Sequence, residues 1–224
     1  MLTMFLTASI VVVARALGDR TLQLLRCRFS STIESFIFST MTGLALIGHL
    51  VFLMGLGHLL SPLVLRGIFA VGLTLALFPL VRNGKQAWQQ LPKIWPLTKP
   101  AIFGGTLLLI VIMALASVWI ATYAPPISTD ELSHHLAIPK AYLREHHIAY
   151  RPFHVFIALT SLMEMLYALG LALEGAGLTK QLHMVLGLLA CVATSVLAKR
   201  FVPHPWHRLA GLFLLLTPGF NNQL

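Results

Sequence analysis

Charge is scarce in this chain. Only 10% of its residues are Asp, Glu, Lys or Arg, where an ordinary soluble domain carries about 25%, so a solvated globular surface is excluded. Acid is the scarcer sign, with seven Asp and Glu against 16 Lys and Arg. Cysteine is nearly absent: Cys27 lies in a basic segment and Cys191 in an apolar one, which leaves two free thiols and no disulfide framework. There is no internal repeat, no CxxC or HExxH pattern and no low-complexity tract. The apolar stretch Leu2 to Val13 has no basic residue before it and Arg15 after it. It therefore reads as a retained helix rather than a cleaved leader.

Apolar residues make up 57% of the chain, gathered in the runs Leu2 to Leu17, Phe36 to Leu60, Leu63 to Val81, Ala101 to Ala121, Phe153 to Leu173, Leu178 to Leu197 and Leu209 onward. A bilayer needs about 20 apolar residues per crossing helix. The expected fold is all-α and polytopic, with about six spanning helices and external juxtamembrane amphipathic helices. Residues 1–121 form the first transmembrane helices, 122–174 an external loop, and 175–224 further transmembrane helices.

The formal charge of +9 does not point to nucleic acid, because the cations cluster between apolar runs. Arg20, Arg26 and Arg28 precede the second run, and Lys85, Lys93 and Lys99 the fourth; the positive-inside bias makes both segments cytoplasmic. The turn Leu59 to Pro62 and the loop Thr122 to Pro152 then lie outside. For Lys199, Arg200 and Arg208 to be cytoplasmic as well, one of the next two runs must not cross. Phe153 to Leu173 is the weaker, since it holds His154, Thr160, Ser161 and Glu164, and a charge at mid-bilayer costs roughly 3 kcal/mol on insertion scales. It is expected along the outer interface. The chain stops at Leu224 about a dozen residues after Leu209, short of the roughly 20 a crossing needs, which reads as a stop within an element.

The external loop carries the chemistry. Ser128 and Glu131 have capping-box spacing, so a helix is expected to begin near Thr129 or Asp130, and Pro139 to kink or restart it. Asp130 and His134 are four apart, as are Glu131 and His135, which sets each acid beside an imidazole. The acids either complement the helix dipole or serve as a general base at the membrane surface. His134, His135, His146, His147 and His154 admit a divalent metal, although adjacent histidines should point to different helix faces. Lys140, Arg144 and Arg151 either snorkel to headgroups or hold a lipid phosphate. Glu164, an acid inside an apolar run, is a candidate site residue by default. His49, His58 and His183 read as helix-packing residues, and Arg66 as snorkelling.

The stretches TDELSHHLAIPKAYLREHHIAY, LTSLMEMLYALGLAL, LTKQLHMVLGLLACVATSVLAKRF and HRLAGLFLLLTPGF together resemble bacterial membrane glycosyltransferases of the GT-C superfamily. The likeness is to polyprenyl-phosphate-dependent enzymes related to protein mannosyltransferases and aminoarabinose transferases. It runs from about Pro125 to Gly219. It implies inverting sugar transfer from a polyprenyl-phosphate donor to an acceptor hydroxyl on the external face of a bacterial inner membrane. Asp130 would be the base and Glu131 its partner, while His134, His135, Lys140, Arg144, Arg151 and Glu164 would contact substrate. No cofactor is implied with certainty. Thr129 and His134 stand where relatives commonly have aromatics, and the family has many more helices than this chain, so the resemblance implies an N-terminal portion. The alternative from a different class is a non-enzymatic membrane subunit or transporter component with a metal-binding, His-rich external loop.

Overall fold

The computed structural model describes residues 1–82, 102–149, 162–203 and 206–217. Arg151, His154, Lys85, Lys93, Lys99 and the residues from Pro218 to Leu224 lie outside them. Among the described residues the chain is helical throughout, with no strand. The helices are α1 (Leu2–Leu24), α2 (Thr32–Leu56), α3 (Pro62–Arg82), α4 (Ile102–Tyr123), α5 (Ala137–Glu145), α6 (Leu162–Leu173), α7 (Ala176–Ala198) and α8 (His207–Leu216), with a π turn at Glu131–His135 before α5.

Three of these, α1, α2 and α7, are long and apolar enough to cross a membrane. At about 1.5 Å per residue each exceeds the roughly 30 Å hydrocarbon core. The described apolar stretches Pro62–Phe78, Val111–Tyr123, Leu162–Leu173 and His207–Leu216 are shorter.

Local chemistry fixes the helix starts. Ser31 caps α2 by accepting the Glu34 N–H, and the Glu34 carboxylate returns to the Ser30 N–H and hydroxyl. Pro62 opens α3, where its missing N–H costs nothing. The α1–α2 pair is held by small residues rather than by side-chain bulk. Ala14 and Gly18 face Gly43 and Ser39, so closely that a Cβ at either glycine would overlap a carbonyl of the other helix. In lipid, where apolar side chains gain nothing by leaving the solvent, such close backbone packing is a main source of helix association.

Contacts sort the helix ends into two groups. At one end, Leu60 N–H bonds to the His146 carbonyl and Ile148 N–H to the Gly55 carbonyl. There too Arg66 donates to the Ala172 carbonyl, Thr3 to Glu174 and Lys180 to the Ala124 carbonyl. At the other end the charges of Arg200 and Lys199 reach Glu34.

The described part of Phe153 to Leu173 is helix α6, and residues 153–161 lie outside the described residues. Helix α6 packs against α2, α3, α5 and α7 and runs antiparallel to α7, with Gly170 against Thr179 and Tyr167 bonded to His183. The run Glu164 to Gly170 is buried without interruption. Leu162 at the start of α6 is exposed and Leu171 and Leu173 near its end are half-buried, but Glu164 faces neighbouring elements rather than water. At 12 residues α6 measures about 18 Å, less than a crossing.

Candidate functional site

The site is built where the polar loop meets the starts of α6 and α7. After Pro125 and Pro126, the Ser128 hydroxyl accepts the Glu131 N–H at 3.1 Å, and Glu131 Oε2 accepts the N–H groups of Ser128 at 3.3 Å and Ile127 at 3.2 Å. This is the capping box that the spacing predicts, and helix begins at Thr129. Pro139 falls in the first turn of α5 and the chain restarts there, also as expected.

Between the two comes the π turn. Leu136 N–H bonds to the Glu131 carbonyl, five residues back, at 2.9 Å. The wider step rearranges the acid and imidazole pairs. Asp130 keeps His134, with Oδ1 3.0 Å from Nδ1, and also gains His135, with Oδ2 3.4 Å from Nε2. The expected Glu131–His135 pair does not form, because Glu131 is committed to the cap and to Lys180. Nor do the adjacent histidines diverge: their rings stack with centroids 3.9 Å apart.

Glu164 completes the group from α6. Its Oε1 lies 3.0 Å from His135 Nδ1 and 3.9 Å from His134 Nε2. Each imidazole thus has one nitrogen toward Asp130 and the other toward Glu164. The two acids differ sharply in setting, with 65% of the Asp130 side chain exposed against 8% for Glu164. Glu164 Oε2 is buried without a hydrogen-bond partner among the described residues. The donor atoms of Asp130, His134 and His135 lie close enough to hold one metal ion.

A cavity of about 550 Å³ opens beside this group, lined by Asp130, Glu131, His135, Tyr167, Lys180 and His183 among others. Lys180 Nζ lies 3.1 Å from Glu131 Oε1 and donates to the Ala124 carbonyl. The Tyr167 hydroxyl is hydrogen-bonded with His183 Nδ1, and its ring sits edge-on to His135. Burial, then the charges of Glu164 and Glu131, push the Tyr167 hydroxyl well above its usual range, so it stays neutral. Behind the cavity, Gln181 donates to Tyr123 and accepts from Thr7, tying α1, α4 and α7 together.

Of the residues singled out in the sequence, Asp130, Glu131, His134, His135 and Glu164 come together. Lys140 and Arg144 are exposed on α5 and do not line the cavity. His146 ends α5 in a left-handed conformation, and His147 stacks on His58 at 4.6 Å, so neither belongs to the Asp130 group. Lys180, Tyr123 and Gln181 escaped sequence reading, and His183 lines the cavity rather than merely packing. The signal was present: Thr179, Lys180 and His183 recur at three and four residues on one face of an apolar helix.

Glu131 gives a pH prediction. Burial alone would raise its carboxyl, but the Lys180 hydrogen bond, the Ser128 N–H, the Lys180 charge and the Ile127 N–H outweigh this and hold it below the usual 4.5. A depressed carboxyl stabilises the fold above its unfolded pKa and loses that contribution as pH falls through the folded value. The loop's tie to α7 should therefore persist through neutrality and loosen in acid below 4.5. Hydrogen exchange at the Ile127 to Leu132 amides, corrected for intrinsic rates, should show protection falling there in the native chain and no such step in Glu131→Gln.

No protein family, curated protein or solved structure matches this chain. The class that fold and composition define is an all-helical chain whose three long apolar helices point to a membrane protein.

Proposed function

We propose that the chain is a membrane glycosyltransferase of the GT-C type, or the N-terminal part of one, using a polyprenyl-phosphate sugar donor. The observation that carries this reading is the cavity at one end of an apolar bundle with an exposed carboxylate, Asp130, and an ammonium, Lys180, on its wall. A lipid-linked donor and a polar acceptor meet at the edge of the bilayer, so a base and a cation belong at a helix-bundle end.

Asp130 takes the proton of the acceptor hydroxyl, the oxygen attacks the anomeric carbon with inversion, and the lipid phosphate departs toward cationic groups. His134 and His135 position Asp130. Lys180 takes the phosphate-facing role that Lys140 and Arg144 were expected to fill. Glu131 acts by ordering the loop and Lys180 rather than by accepting a proton. The membrane is the bacterial inner membrane and the cavity faces the periplasm.

The test is transfer from a labelled polyprenyl-phosphate sugar by the complete protein. Loss of transfer in Asp130→Asn sustains the reading, and unchanged transfer ends it. Sidedness has its own test. With Cys27 and Cys191 replaced by serine, a cysteine at position 140 should react with an impermeant thiol reagent from outside intact cells. One at position 199 should react only after permeabilisation.

A further inference from the structure

We infer that Asp130, His134 and His135 form a binding site for one divalent transition-metal ion, best matched by zinc, with Glu164 as the outer carboxylate that orients the imidazoles. The donor set is two imidazoles and a carboxylate with an open side toward the cavity, the composition of zinc sites that keep a position for water or a substrate oxygen. Zinc–ligand distances of about 2.0–2.1 Å place neighbouring tetrahedral ligand atoms about 3.3 Å apart. Asp130 Oδ1 lies 3.0 Å from His134 Nδ1 and Oδ2 lies 3.4 Å from His135 Nε2, and one ligand atom from each of the three residues falls within 4.8 Å of the others, so the three draw together to share one ion.

The independent observation is Glu164. It is nine-tenths buried, and its Oε1 meets His135 Nδ1 at 3.0 Å, which fixes the tautomer with the proton on Nδ1 and the lone pair on Nε2. That lone pair points at Asp130 Oδ2. Two lone-pair atoms facing each other repel, and a proton or a metal ion between them relieves the repulsion. The arrangement is the carboxylate–histidine–metal relay that tunes metal ligands.

Charge balance points the same way. Two carboxylates flank two imidazoles, and one of the carboxylates is buried with an oxygen unpaired among the described residues, which is costly without compensation. One divalent ion on the Asp130 side supplies it while each imidazole keeps its N–H toward Glu164. Ligation through one Asp130 oxygen leaves the other facing the cavity, so the site is compatible with the proposed base role and does not rest on it.

The test uses the full chain in detergent, stripped with chelator and titrated with zinc, and with cobalt for its visible spectrum. The expected result is one zinc per chain, a tetrahedral cobalt spectrum, and a zinc-dependent rise in Tm. His135→Ala and Asp130→Asn should lose all three. Glu164→Gln should weaken binding by about 10- to 100-fold, while the double variant His146→Ala, His147→Ala binds as the native chain does. His135 is half-exposed, so His135→Ala tests the site even where substitution of buried His134 disturbs folding. Absence of stoichiometric zinc, or an affinity indifferent to His135→Ala and Asp130→Asn, overturns the proposal. Zinc uptake is read without donor or acceptor, so failure here and failure of the transferase reading are separate results.

Discussion

Asp130→Asn is expected to lower sugar transfer by about 10²- to 10⁴-fold, the usual contribution of a positioned general base. Asparagine has the shape of aspartate, so the turn keeps its backbone while losing the ability to take a proton. The loss should therefore appear in kcat with little change in KM. Glu131→Gln should behave differently. Its carboxylate is already engaged by two backbone N–H groups and Lys180, and glutamine retains an acceptor for the cap. The expected outcome is a modest fall in transfer accompanied by looser exchange protection in the loop. Lys180→Ala removes the cavity-lining ammonium and should raise KM for the phosphate-bearing donor. If Glu131→Gln with an ordered loop proves as damaging as Asp130→Asn, the division of roles is wrong.

What the sequence disclosed about this site depended on range. The capping box and the restart at Pro139 are local, since partners three residues apart meet whenever helix begins, and both were readable. The pairing within the π turn was not, because one widened hydrogen-bond step shifts the neighbour of residue 130 from one histidine to two. The meeting of Glu164 with His135 spans 29 residues, and that of Lys180 with Glu131 joins separate elements. Nothing in spacing along one helix encodes such contacts; they follow from how α6 stands against α7. The partner of Glu164 was hidden for a related reason: a single carboxylate in an apolar run argues for water or a cavity beside it, whereas the histidines of a distant loop supply the polar contact that permits burial. The apolar runs of α1, α2 and α7 were legible because length and composition alone decide whether a helix can cross.

Leucine at position 43 is expected to part α1 from α2 and to disturb the cavity end of the bundle as well. The space beside Gly43 is filled by the backbone of Ala14, and that beside Gly18 by the backbone of Ser39, so no side-chain rotation can make room. Overpacking costs about 1–3 kcal/mol where neighbours can yield; against a rigid helix backbone the upper part of that range or more is expected. For a chain of this size about 3 kcal/mol corresponds to a Tm lower by on the order of 10 °C. The disturbance should travel, because α1 carries Thr3 to Glu174 and Thr7 to Gln181, and Gln181 in turn holds Tyr123. Gly67 supplies the contrast: a Cβ there meets nothing within 4 Å, and alanine is favoured over glycine in a helix by about 1 kcal/mol. Gly67→Ala should leave Tm unchanged or higher while Gly43→Leu lowers it. Equal tolerance at both positions would mean that the small-residue faces of α1 and α2 do not meet, and with them would go the link from α1 to the turn between α6 and α7.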